Sequence, residues 1–169
     1  MAAGPTYEPI AKTTLAIAAN SYTFSSIPAT YTDLVLIYAI KGATGGVTDY
    51  NIRAQVNSDT ATNYSYTLLT GSGTTAGSAR GSTVNNILLQ GSGYLSTTII
   101  SNGTINFNNY SNTTTYKTIL SKNNQSNAAV NATVGLWRNT GAINAIKIYL
   151  DAGNFGKEST FTLYGIAAA

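Results

Sequence analysis

The side chains best suited to catalysis near neutral pH are missing from this 169-residue chain, which has no histidine and no cysteine. Ser-His-Asp and Cys-His hydrolysis are therefore excluded, as are zinc sites built on imidazole or thiolate. Disulfides are excluded as well. What remains is a pair of carboxylates for glycoside hydrolysis, one acid protonating the leaving oxygen and the other attacking or activating water. The candidates are Glu8, Asp33, Asp49, Asp59, Asp151 and Glu158. No two of them share an aromatic-rich signature, and the turn and loop signals around them favour solvated carboxylates. A Ser-Lys dyad is compatible with composition, but no motif supports one. Asp49 alone, beside glycines, offers too few oxygen ligands for calcium. Gly71-Ser-Gly-Thr-Thr-Ala-Gly77 has neither the Gly-Lys-Ser/Thr ending of a phosphate loop nor Gly-x-Gly-x-x-Gly spacing, so it reads as a loop tip. No catalytic, cofactor or metal residue is assigned, and the expectation is a protein that is not an enzyme.

The aromatic residues are the other candidates for recognition chemistry. Tyr64, Tyr66, Tyr110, Tyr116 and Trp137 could form a face that stacks on sugars or contacts a protein. The alternative is that these tyrosines cover core edges with their hydroxyls in water. Trp137 lies opposite the apolar stripe Val130, Ala132, Val134 and Leu136, which places it on an outer sheet face or under a loop.

The elements that must position these residues are strands. Charged residues are 9% of the chain, against roughly 25% in an ordinary domain. Yet 43% is apolar and 12 residues are tyrosine, which argues for a folded chain. Period-two alternation recurs from Thr13 onward. Leu34 to Ile40 is a nearly continuous apolar run, and Ile52, Ala54 and Val56 share a face. Ile146, Ile148 and Leu150 form another stripe, and Phe161 and Leu163 a further one. Between these lie turn signals such as Asn20-Ser21, Asn102-Gly103, Asn123-Asn124 and Asn139-Thr-Gly141. One short helix is expected over Ala61 to Tyr66, capped by Ser58 or Asp59. The pattern predicts an all-β fold, an antiparallel two-sheet sandwich of jelly-roll-like form. Residues 1–9, with Pro5 and Pro9, are expected to be an extended N-terminal arm, and residues 10–169 a single sandwich domain.

The net charge of +3 comes from scattered lysines and arginines, so no nucleic-acid partner is expected. No signal-peptide pattern opens the chain, and no apolar run approaches the ~20 residues of a membrane-spanning helix, so no membrane partner is expected.

Several segments carry a family resemblance. They are the stretch from Tyr7 to Ile40, which includes Tyr7-Glu-Pro-Ile-Ala and the run from Tyr22 to Leu36, then Val56 to Ser65, Asn109 to Ile119, and Gly153 to Ile166. In order and spacing they resemble small virion structural proteins of tailed phages, found as capsid decoration or cement proteins and as tail-fibre modules. The resemblance implies a non-enzymatic protein on the outer capsid surface that bridges neighbouring major capsid protein subunits. It also allows a tail-fibre or receptor-binding module that recognises host glycans. Open sheet edges with few charges predict a homo-oligomer, and the three-fold junctions of shells place a trimer ahead of a dimer. The residues expected at a partner contact are Pro5, Tyr7 and Pro9 in the arm, with Tyr64, Tyr66 and Trp137 in the domain.

Overall fold

A computed structural model describes residues 6–44, 50–91, 95–125 and 128–167. It bears out the antiparallel two-sheet sandwich. Among the described residues twelve strands run in chain order: β1 (Tyr7–Thr14), β2 (Ser21–Phe24), β3 (Asp33–Ile40), β4 (Ile52–Val56), β5 (Tyr64–Gly71), β6 (Ala76–Val84), β7 (Ile87–Gln90), β8 (Ser101–Asn108), β9 (Lys117–Gln125), β10 (Ala129–Trp137), β11 (Ile146–Leu150) and β12 (Thr160–Ile166). One sheet has eight strands in the order β1-β12-β3-β8-β9-β10-β5-β6, and the other has four in the order β2-β11-β4-β7. The chain passes repeatedly from one sheet to the other, with β8, β9 and β10 forming a meander within the larger sheet.

The core follows from alternation. Leu34, Leu36, Tyr38 and Ile40 of β3 point inward, as do Ile105 and Phe107 of β8 and Phe161 and Leu163 of β12. The smaller sheet answers with Phe24, Ile52, Ala54, Ile146 and Ile148. Phe161 is gripped by aromatic rings, edge-on to Phe155 at 5.2 Å and stacked on Tyr22 at 5.7 Å. Gly103 is required where Tyr38 crosses β8, because a Cβ there would lie 2.1 Å from the tyrosine Cζ. The Asn102-Gly103 pair therefore sits inside a strand rather than at a turn.

Two expectations are corrected. Tyr7, Glu8 and Pro9 are not part of a free arm: they begin β1 and pair with Ile166, Gly165 and Tyr164 of β12. Proline is tolerated because β1 is an edge strand, and the register shifts just after it, between Pro9 and Ala11. Nor is there a helix at residues 61–66. Asp59 Oδ1 does accept the Ala61 amide at 2.9 Å, but the chain enters β5 at Tyr64.

Candidate functional site

Asn57 and Ser58 both have positive φ, 52° and 56°, and the Asp59 amide donates to the Val56 carbonyl at 2.9 Å. This is the backbone of a type I′ turn, which suits Asn at its first central position. The turn places Asp59 against the end of β10. There Trp137 Nε1 donates to Asp59 Oδ2 at 2.7 Å, and Asn63 Nδ2 donates to the same oxygen at 2.9 Å. Burial opposes ionisation of this carboxyl, but the bonds from Asn63, Trp137 and Ala61 outweigh it and hold the pKa below its ordinary value. The Tyr64 hydroxyl donates to the Asp59 carbonyl at 3.0 Å, and its ring stacks on Trp137 at 6.5 Å.

These bonds correct the expected contact face. Trp137 is 1% exposed and Tyr64 is fully buried, so both are core residues. A buried indole N–H needs an acceptor, and Asp59 supplies it. Tyr110 is buried too, its hydroxyl donating to the Pro28 carbonyl. Tyr66 is half-buried, with its ring lying where a Cβ on Gly81 would be. Only Tyr64 and Trp137 are brought together, and no surface is left on them. Tyr7 is exposed and lies edge-on to Tyr164 at 6.0 Å. Pro9 is exposed beside it, at the opposite edge of the same sheet. Pro5 and Asp49 lie outside the described residues.

The other carboxylates hold structure. Asp151 accepts the Asn51 amide at 2.9 Å, the Asn51 side chain at 2.6 Å and Arg53 at 3.3 Å. Asp33 accepts the Asn109 amide at 2.6 Å, and Glu158 pairs with Lys41 at 3.0 Å. Among the described residues no three acidic groups converge as metal ligands. Lys117 is buried, but its ammonium donates to the carbonyls of Thr115 and Thr140 rather than to a serine. Burial lowers its pKa.

The surface that stands out was legible in the sequence only with the wrong facing. In β10 the inward residues are Asn131, Thr133, Gly135 and Trp137, and the stripe Val130, Ala132, Val134 and Leu136 points outward. Inward polarity has a use here. β7 is an edge strand of the smaller sheet, and its Leu89 carbonyl accepts from Asn123 Nδ2 at 2.7 Å and Thr133 Oγ1 at 3.1 Å. Gly135 faces Ile87 where no Cβ fits.

The outward stripe joins others across the sheet. One cross-strand row runs Ile37, Thr104, Lys122, Ala132, Leu69, and the next runs Val35, Asn106, Leu120, Val134, Thr67, Arg80. Leu69 is 59% exposed, Val130 61% and Val134 49%. The face is concave over the first row, forming an open trough of about 620 Å³ that reaches from Thr160 and Thr162 of β12 to Leu69 of β5. No family model, curated protein or solved structure matches the chain significantly.

Proposed function

We propose that this protein is a non-enzymatic virion structural component, a decoration or cement protein on the outer capsid surface that bridges neighbouring major capsid protein subunits. The observation that carries the reading is the outer face of the eight-stranded sheet. It is broad, exposes Ile37, Leu69, Leu120, Val130 and Val134, and has no carboxylate in its central rows, so it fits protein contact better than catalysis or solvation. Of the six carboxylates that a glycosidase could use, Asp33, Asp59, Asp151 and Glu158 are tied into turns and ion pairs. Of the aromatic residues that a glycan-binding module would use as stacking platforms, Trp137, Tyr64 and Tyr110 are in the core, Tyr66 is half-buried and Tyr116 is exposed. The resemblance of four segments to phage virion proteins points the same way. Stabilisation of the shell would be mechanical: small contact energies per copy, multiplied over many copies. Self-association, with a trimer ahead of a dimer, belongs to the same reading. The edge strand β6 supports it, with its mostly exposed Ala-Gly-Ser-Ala-Arg-Gly-Ser run and no proline. Quantitative mass spectrometry of purified particles tests the reading. A ratio to the major capsid protein near that of a shell component supports it, and a ratio typical of tail parts contradicts it.

A further inference from the structure

We infer that the trough on the outer face of the eight-stranded sheet is where the shell subunit docks, and that the docking surface of that subunit is a convex apolar ridge flanked by carboxylates. This inference rests on the proposed function and adds the surface and the chemistry of its partner. Eight strands about 4.8 Å apart and some seven residues at about 3.4 Å give a face of about 34 by 24 Å, or ~800 Å². That equals one partner's share of a standard protein interface, so the face is large enough to hold one. Its centre is apolar, with Leu69, Val130 and Val134 exposed in a way scattered surface residues are not.

Charge selects the occupant. Lys122 stands in the central row and Arg80 at the β6 side, and no carboxylate lies in either central row. A second copy packed face to face would bring cations against cations. Among the described residues it also has little to offer them elsewhere, since Asp33, Asp59, Asp151 and Glu158 already accept bonds within their own chain and Glu8 interacts with Tyr31. A different protein that brings its own carboxylates meets Lys122 and Arg80 with complementary charge.

The test places a photo-crosslinking benzoylphenylalanine at Val130 in the trough or Val134 in the neighbouring row of the same face, and as controls at Ile17 or Tyr116, which are exposed outside both. Each full-length variant is allowed to assemble on its particle and is irradiated. Crosslinks to the major capsid protein from 130 and 134 but not from 17 and 116 are the expected result. Lys122→Glu is expected to lower occupancy on the particle at least tenfold with an unchanged unfolding midpoint, because Lys122 is exposed. Lys157→Glu, exposed in the loop before β12, is expected to leave occupancy unchanged. Particle-bound protein that crosslinks only from 17 or 116 overturns the inference while the virion reading stands. So does crosslinking from 130 and 134 to a second copy of the chain. Full occupancy by Lys122→Glu overturns the carboxylate assignment, and absence of the protein from particles overturns the reading and the inference together.

Discussion

The facing of β10 decides which surface is free, and a pair of neighbouring substitutions reads it directly. A Cβ on Gly135 would lie 2.8 and 2.9 Å from two methyl carbons of Ile87 and 3.2 Å from its Cγ1. Carbon atoms in contact prefer about 3.5–4.0 Å, so the added methyl overlaps its neighbour by up to ~1 Å. Overpacking of this kind costs about 1–3 kcal/mol, so Gly135→Ala should destabilise by that amount. Val134 is half exposed, and Val134→Asp should cost about 1 kcal/mol or less, mostly from lost strand preference. The opposite facing, which apolar alternation suggests, reverses the order. Gly135→Ala would then gain about 0.5–1 kcal/mol from reduced backbone freedom, and Val134→Asp would bury an unpaired carboxylate. Urea unfolding followed by fluorescence measures both, because Trp137 is the single tryptophan and is buried beside these residues. A stabilised Gly135→Ala together with an unfolded Val134→Asp would refute the facing, and the exposed trough with it.

Three further predictions concern the interior. Asp59 has a depressed pKa in the fold, so its contribution is present above its ordinary value of 3.8 and is lost as pH falls through the folded value. Asp59→Asn should therefore be less stable than the parent at pH 5 and lose less on going to pH 3; parallel acid limbs in urea titrations would count against the Asp59–Trp137 account. Burial raises the Tyr38 pKa and pushes Tyr64 up to about 12, so their contribution is intact below pH 10 and lost as pH rises towards the folded values. At pH 11 Tyr64 alone should subtract on the order of 1 kcal/mol, and tyrosinate absorbance at both sites should grow only as the chain unfolds. Asn131 is buried with neither amide atom hydrogen-bonded, so Asn131→Val should stabilise by about 1 kcal/mol; a clear loss of stability would mean the amide is satisfied.

Strands with one strongly apolar side were legible because burial and alternation agree in them. Ile52, Ala54 and Val56, Ile146, Ile148 and Leu150, and Phe161 and Leu163 all face the core as their pattern says. Alternation failed in β10 because its inward face, Trp137 apart, carries only Asn131, Thr133 and Gly135, and two interior needs outweighed hydrophobicity. One is the Leu89 carbonyl that Asn123 and Thr133 satisfy, and the other is the space taken by Ile87. β6 carries almost no apolar signal, since it is an exposed edge, and only Ser72 to Thr75 of the expected loop tip forms the turn. Asn123-Asn124 lies inside β9, where Asn123 serves an inward bond that local turn statistics do not contain. The Trp137–Asp59 contact joins residues 78 positions apart. The one local hint of it is Asn57-Ser58-Asp59, whose turn chemistry fits the start of a helix equally well. Of the expected contact residues, Tyr7 and Pro9 are exposed, but on a strand of their own sheet rather than on an arm.

A cryo-electron map of the intact particle tests the central claim most directly. The account predicts on the order of hundreds of copies on the outer shell, each laying the outer face of its eight-stranded sheet against major capsid protein, with Leu69, Val130 and Lys122 in the contact. Sandwich density confined to the tail or its fibres, or shell-bound copies whose eight-stranded face points to solvent, would contradict it.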